Sequence, residues 1–181
     1  MAGNLLEQPA LFDACRGIRL LALDVDGVLT DGRLYFGAEG EALKAFNTLD
    51  GHGIKMLQKS GVAVAIITGR RSDFLARRAQ DLGIRLLIQG REDKFDALQE
   101  LLTEYPCALE AIAFMGDDYP DLSVMARVGL AFAPPNACSP VLARAHWCSL
   151  RRGGEGAVRE ACDLIMQAQG TFESALAGYL P

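Results

Sequence analysis

The sequence predicts an α/β fold in which helices cover both faces of a doubly wound parallel sheet. Short apolar runs alternate with longer amphipathic segments, and the runs lack the polar alternation of half-exposed strands. The 181 residues fit one domain (1–181) with a single core. The predicted strands are IRLLALDV (18–25), VAVAIIT (62–68), RLLIQG (85–90), EAIAFMG (110–116) and VGLAFAP (128–134).

Helix boundaries and one hairpin complete the predicted architecture. Ser72 is a suitable N-cap for the helix SDFLARRAQDL, and Gly83 follows that helix as a C-terminal glycine. Residues 31–48 depart from the strand–helix rhythm, because two short strand-like pieces flank the turn residues GAEG. This segment predicts a β-hairpin flap. The tail, about 170–181, is expected to be loosely attached.

Composition narrows the possible functions. Eighteen basic and 23 acidic residues give a net charge of −5, and the absence of a basic tract disfavours nucleic-acid binding. No leader pattern or long apolar run predicts a membrane segment, so we expect a cytoplasmic protein. Five scattered cysteines are predicted to be reduced thiols. The neighbours His146 and Cys148 are interpreted as an incidental pair rather than a catalytic one.

The motif DVDGVLTDG (24–32) follows the first strand, at the sheet edge where ligands bind in open α/β folds. Because the side-chain period of a strand is two, Asp24 and Asp26 leave the same side of the sheet. Two adjacent carboxylates at a buried strand end repel each other unless a cation compensates, and Mg²⁺ suits such oxygen ligands. The alternative is that one aspartate caps a turn and the other is solvated.

Polar residues also follow three later strands. A hydroxyl and free backbone donors can bind a phosphate oxygen, and a lysine can neutralise both a carboxylate and a phosphate. Taken singly, each of these features has a structural explanation. A Thr-Gly pair is commonly a turn, a lysine is commonly solvated, and Asp118 and Asp121 could cap a helix. These residues are Thr68 and Gly69, then Lys94, then Asp117, Asp118 and Asp121.

The order DxDGV, TGR, Lys and GDDxxD, each at a strand end, resembles the haloacid dehalogenase superfamily of phosphotransferases over roughly residues 20–121. The resemblance implies that Asp24 is a nucleophile that forms an aspartyl phosphate. It implies that Asp26 is the acid and then the base, and that Thr68 and Lys94 hold the phosphate. Mg²⁺ would be held by Asp24, the Asp26 carbonyl and Asp117, with Asp118 and Asp121 supporting the metal waters and Lys94.

Members of this superfamily usually carry a cap domain, and here the spacing leaves little room for one. Only the hairpin and a helix separate Asp26 from Thr68, and only a helix and a strand separate Thr68 from Lys94. A capless site would be open to water. We therefore expect a large substrate or a wall supplied by a neighbouring subunit.

A closer resemblance covers nearly the whole chain. FNTLDGHGI (46–54), TGR (68–70) and GGEGAVRE (153–160) resemble a capless subgroup, the phosphatases of 3-deoxy-D-manno-octulosonate 8-phosphate in lipopolysaccharide precursor biosynthesis. The resemblance implies a homotetramer assembled through the hairpins, with the C-terminal segment reaching a neighbour's site. It also implies a substrate site made of Asp26, Asn47, Thr48, Leu49, Asp50, Gly51, Lys55, Gly69, Arg70, Arg78 and Lys94.

Other readings stay open at this point. Asn47 and Asp50 could cap the helix that begins near Gly51, with Lys55 and the two arginines solvated. The substrate could be a nine-carbon acid such as 2-keto-3-deoxynononate 9-phosphate, or the chain could be a non-catalytic oligomeric scaffold of this fold. The loop PPNACSP (134–140) and the tail depart from the subgroup's pattern.

Overall fold

The computed structural model describes residues 9–180. Within that range the strands are β1 (Leu20–Leu23), β2 (Tyr35–Gly37), β3 (Gly40–Leu43), β4 (Ala63–Thr68), β5 (Leu86–Gln89), β6 (Ile112–Met115), β7 (Leu130–Ala133) and β8 (Trp147–Cys148). The helices are α1 (Pro9–Arg16), α2 (Thr48–Lys59), α3 (Asp73–Leu82), α4 (Lys94–Glu104), α5 (Leu122–Met125), α6 (Ser139–Leu142), α7 (Ala157–Ala168) and α8 (Phe172–Ala177).

The main sheet has the order β5-β4-β1-β6-β7-β8, and all of its pairings are parallel. The chain starts in the centre with β1, winds outward through β4 and β5, and then returns to β6 on the other side. This confirms the predicted doubly wound sheet and places its switch point at the carboxyl ends of β1 and β6. β8 was not predicted, because two residues are too few for an apolar run.

Alternate residues of each central strand enter different cores. Leu21 and Leu23 pack on the side covered by α1, α2, α3 and α7. Leu20 and Ala22 pack on the side covered by α4, α5 and α6. Both sides are fully buried, which is why the strand sequences are apolar throughout. The polar residues around the central strands therefore lie where those strands end.

Helix caps match the sequence signals in α3 and shift the start of α2. The Ser72 side chain accepts a hydrogen bond from the Leu75 N–H, and Gly83 ends α3 in the left-handed region with φ 71°. α2 begins at Thr48, three residues before the predicted start near Gly51, because the Asn47 side chain caps it.

The predicted hairpin flap is present but shorter than 31–48. Its strands β2 and β3 are antiparallel and pair Gly37 with Gly40 at the turn. Phe36 on this hairpin is 62% exposed. Only the hairpin and α2 lie between β1 and β4, so the described residues contain no cap domain in that interval.

The end of the chain forms a short helix. Phe172 and Ala175 of α8 pack against the core beside α7, and the Tyr179 ring meets the His52 ring edge-on at 5.3 Å. Residues 1–8 and Pro181, which belong to the predicted domain and tail, lie outside the described residues. Between residues 9 and 180, no helix is long and apolar enough to cross a membrane.

Candidate active site

Asp24 is the first residue beyond β1, at the switch point of the sheet. Its backbone N–H still bonds to the Met115 carbonyl at 3.0 Å, so the strand ladder carries this side chain to the edge. The chain then turns sharply, and the Thr30 hydroxyl holds the turn by bonding to the Val25 carbonyl and accepting from the Gly27 N–H. The local sequence thus places Asp24 at the start of a hydrogen-bonded turn.

Lys94 joins the two most buried carboxylates of the site. Its Nζ lies 2.7 Å from Asp24 Oδ1 and 2.5 Å from Asp121 Oδ1, and all three side chains are buried. Burial disfavours the ammonium, but the two carboxylates outweigh burial and raise the pKa of Lys94. A cation in the first turn of a helix such as α4 is unfavourable, so this position requires the anionic partners it has.

Asp121 organises the loop that follows β6. Its Oδ2 accepts from the backbone N–H groups of Asp117 at 2.9 Å and Asp118 at 3.1 Å, and its side chain is fully buried. A β-carbon on Gly116 would lie 2.4 Å from Asp121, so glycine is required there. Asp118 itself is exposed.

Asp117 completes a group of three carboxylates. Oxygens of Asp24, Asp117 and Asp121 all lie within 4.8 Å of one another, and the buried Oδ1 of Asp117 has no hydrogen-bond partner. Burial, and then the neighbouring carboxylates, raise the pKa of Asp117 to about 8 and that of Asp24 to about 6. Closely spaced carboxylate oxygens with an unpartnered atom fit a hard divalent cation such as Mg²⁺.

The Asp26 carboxylate lies between two cations, outside that group of three. Lys44 Nζ is 2.5 Å from its Oδ1, and Arg70 Nε is 3.6 Å from its Oδ2. Thr68 ends β4 with its side chain buried, and its hydroxyl accepts from the Arg70 N–H at 3.3 Å. Gly69, between them, is half-buried.

The start of α2 is tied to the C-terminal motif. Asn47 Oδ1 accepts from the Leu49 N–H at 2.8 Å, and its Nδ2 donates to the Gly154 carbonyl at 3.0 Å. Arg78 of α3 reaches the Asn47 carbonyl at 3.4 Å and covers Gly51, where a β-carbon would lie 2.2 Å from the guanidinium. The structure therefore brings Asn47, Gly51 and Arg78 together.

Asp50 faces α7. The residue is 1% exposed, and its Oδ1 accepts from the Arg159 N–H at 2.8 Å in the first turn of that helix. Its Oδ2 has no partner, and burial raises the pKa of Asp50 to about 6. Asp50 thus caps α7, whereas the sequence offered α2 as the helix to be capped. Thr48 and Lys55 are exposed on α2.

Two residues at the site carried no recognisable sequence signal. Asn136 follows β7 and bridges two loops, because its Nδ2 donates to the Gly27 carbonyl at 2.9 Å while its Oδ1 accepts from the Gly153 N–H at 2.8 Å. Lys44 at the base of the hairpin contacts Asp26. Asn136 lies in the loop 134–140, whose departure from the subgroup's pattern did not indicate this role.

The five cysteines, all within the described residues, are free thiols. His146 Nδ1 accepts a hydrogen bond from the Ala131 N–H at 2.9 Å, so the imidazole satisfies a backbone donor of β7. Burial raises the pKa of Cys148, which keeps that thiol protonated. Neither residue has the environment of a catalytic pair.

Comparison with known proteins agrees with this geometry. Residues 86–159 match the model of the haloacid dehalogenase-like hydrolases. A 3-deoxy-D-manno-octulosonate 8-phosphate phosphatase of Yersinia pestis is 52% identical over 158 residues, which cover 87% of this chain and 84% of the relative.

Two solved structures carry the same fold. The 3-deoxy-D-manno-octulosonate 8-phosphate phosphatase of Moraxella catarrhalis, in complex with magnesium, phosphate and the sugar acid, is 40% identical with a TM-score of 0.91, covering 94% of this chain and 98% of that one. The cobalt-bound enzyme of Haemophilus influenzae is 40% identical with a TM-score of 0.89, covering 93% and 99%. The chain therefore belongs to the 3-deoxy-D-manno-octulosonate 8-phosphate phosphatase family of haloacid dehalogenase-like hydrolases.

Proposed function

We propose that this protein hydrolyses 3-deoxy-D-manno-octulosonate 8-phosphate to the free sugar acid and inorganic phosphate, a step of lipopolysaccharide precursor biosynthesis. The observation that carries the proposal is the buried Asp24–Lys94–Asp121 chain at the switch point, with Asp117 beside it. Curated relatives that cover most of the chain bear the name of this activity.

In the first step, an Asp24 carboxylate oxygen forms a bond to phosphorus as the bond from phosphorus to the sugar oxygen breaks. Asp26 donates a proton to that leaving oxygen. In the second step, Asp26 accepts a proton from water, the water oxygen bonds to phosphorus, and the aspartyl phosphate bond breaks. One residue can serve as both acid and base because the two steps need opposite proton transfers.

The charge of the phosphate is offset by groups that the chain already holds in place. The Lys94 Nζ lies 2.7 Å from Asp24 Oδ1. In the proposed mechanism Lys94, Thr68 and Gly69 bind the phosphate oxygens. Mg²⁺ would be held by the carboxylates of Asp24 and Asp117 and by the Asp26 carbonyl, with Asp118 and Asp121 in support. Bound there, it would stabilise negative charge on the transferring phosphoryl group.

The sugar acid is assigned to the residues around the start of α2 and the beginning of α3. Arg70 and Arg78 are partly exposed cations that suit a carboxylate, and Asn47 is a hydrogen-bonding group beside them. The remaining assigned residues are Thr48, Leu49, Asp50, Gly51 and Lys55.

A homotetramer would complete this open site. Leu34, Tyr35, Phe36 and Leu43 form an exposed apolar surface on the hairpin, which is unusual for a free monomer and suits contact with a second copy. Light scattering should give the mass of four chains, and Phe36→Glu should yield smaller, less active species.

The free thiols suit a reducing compartment, and the proposed location is the cytoplasm.

The test is magnesium-dependent phosphate release from a panel of sugar acid phosphates. Asp24→Asn should abolish release, and a chelator should do the same to the native protein. Asp96→Asn, an exposed position on α4, is the matched control and should keep full activity. Full activity of Asp24→Asn would refute the mechanism. A higher kcat/KM for 2-keto-3-deoxynononate 9-phosphate than for the eight-carbon compound would make the nine-carbon acid phosphate the substrate. If no compound released phosphate, a non-catalytic scaffold would be favoured.

A further inference from the structure

Lys44 is a buried lysine at the base of an exposed hairpin. Lys44 directly follows β3. Most residues of the hairpin face solvent, yet the Lys44 side chain is only 3% exposed. The motifs that identify the site do not include it. Its burial therefore needs an explanation of its own.

The Lys44 ammonium lies between two carboxylates. Nζ is 2.5 Å from Asp26 Oδ1 and 3.5 Å from Glu41 Oε1. The other Glu41 oxygen accepts a hydrogen bond from the hydroxyl of Ser72, the N-cap of α3. A continuous polar chain thus runs from Asp26 through Lys44 and Glu41 to the start of α3.

Burying an ammonium and two carboxylates costs more than burying apolar side chains of the same size, and a hairpin base could be packed with the latter. What the ion pair adds is orientation. Each Asp26 oxygen has its own cation, Lys44 on Oδ1 and Arg70 on Oδ2 at 3.6 Å. Because Arg70 is 41% exposed in its side chain while Lys44 is almost fully buried, Lys44 is the firmer of the two restraints.

We infer that Lys44 is a positioning residue for Asp26, the proton-transfer group. Lys44 holds the Asp26 carboxylate in the orientation that faces the leaving oxygen, and this orientation depends on the hairpin being packed in its observed place. The inference rests on the proposed role of Asp26. Lys44 itself need not touch the substrate. Its effect should therefore disappear when Asp26 can no longer transfer a proton.

A double-mutant cycle tests this dependence. Lys44→Met, which keeps the side-chain length without the charge, should lower kcat for the sugar phosphate roughly 100-fold, the lower range for acid–base catalysis, while KM changes by less than about threefold. In an Asp26→Asn background the same substitution should change kcat by less than about twofold. If the two losses multiply instead, Lys44 acts independently of Asp26 and the inference is wrong.

A substrate with a good leaving group gives a second readout. p-Nitrophenyl phosphate needs little protonation of its leaving oxygen, so the pre-steady-state burst of nitrophenol should be nearly unchanged in Lys44→Met. Steady turnover of the same compound should fall, because water activation still needs Asp26. Equal losses in burst rate and in sugar phosphate turnover would indicate general damage to the fold and would overturn the inference.

Three further variants separate the outcomes. Lys44→Arg retains a cation and should recover at least tenfold of the lost kcat. Glu41→Gln removes the negative charge of the second partner of Lys44 and should also lower kcat. It replaces Lys44→Met as the test if Lys44→Met does not fold. Lys59→Met, an exposed position on α2, should behave as the native protein. If the native protein prefers another alkyl phosphate, the proposed substrate fails, and the same variants compared on that compound still test Lys44.

Discussion

Gly27 and Asp117 lie so close that a β-carbon on Gly27 would sit 2.0 Å from Asp117 Oδ2. Gly27 also has φ 92°, a conformation that L-residues rarely adopt. The turn after β1 and the loop after β6 are thus in contact through a position without a side chain. The contact explains why the motif requires glycine after Asp26.

Gly27→Ala should therefore displace the Asp117 carboxylate and lower phosphate release by about 100-fold, as expected for a misplaced catalytic group. Gly61 is the matched control, because its φ is 100° and a β-carbon there would meet nothing within 4 Å. Both alanine variants should lose about 1–2 kcal/mol in urea unfolding from backbone strain. Comparable activity in the two would contradict the steric argument.

Metal binding should depend on pH. The pKa values of Asp117 and Asp24 are raised from 3.8 to about 8 and about 6, so the folded protein binds protons more tightly than the unfolded chain. Their contribution to stability is fully present below pH 3.8 and is lost as pH rises through 6 and 8. Mg²⁺ binds the ionised carboxylates, so the increase in Tm that it causes should grow from about pH 5 to about pH 8.5.

Asp117→Asn provides the comparison for that experiment. It should reduce both the Mg²⁺-induced rise in Tm and the dependence of that rise on pH. Differential scanning calorimetry of each protein, with Mg²⁺ and with chelator, measures the two quantities. A rise in Tm that is the same at every pH would contradict proton release from these carboxylates.

Asp50 should contribute to stability through α7. Asp50→Ala removes the acceptor for the Arg159 N–H and should cost about 1–3 kcal/mol in urea unfolding. Asp50→Asn keeps an acceptor oxygen and removes the buried charge, so it should cost less. The proposed place of Asp50 in the substrate site adds a second expectation, that KM for the sugar phosphate rises in both variants. If the free energy of unfolding stays unchanged in Asp50→Ala, the stabilising contact with α7 is contradicted.

Asn136 should matter for turnover as well as for stability. Asn136→Ala leaves the Gly27 carbonyl and the Gly153 N–H without their partner. It should lower the free energy of unfolding by about 1–3 kcal/mol and should also lower kcat. Asn136→Asp keeps the acceptor but loses the donor, so it should not restore kcat. Ser139→Ala, an exposed neighbour, should leave both quantities unchanged.

The sheet and the carboxylates could be predicted because their signals are local. A strand buried on both faces is apolar at every position, and Asp24, Thr68, Lys94 and Asp117 stand where such runs end. Their convergence follows from the parallel arrangement alone.

The supporting residues could not be predicted in this way. Asn136 meets Gly27 across 109 residues, as does Asp50 with Arg159, and no period in the sequence relates such partners. Lys44 was missed because a lysine beside a hairpin is ordinarily solvated. In each case tertiary packing decides what a common polar residue does.

The contacts between the turn at Gly27 and the loop at Gly153 also bear on biosynthesis. A β-carbon on Gly153 would lie 1.7 Å from the Gly27 carbonyl, so the two backbones meet directly although one is near the start of the chain and the other near its end. A nascent chain that has reached β4 still lacks the Gly153 segment, against which the turn after β1 packs in the folded protein. The turn that carries Asp24 should therefore reach its final packing only after the segment around Gly153 has been synthesised.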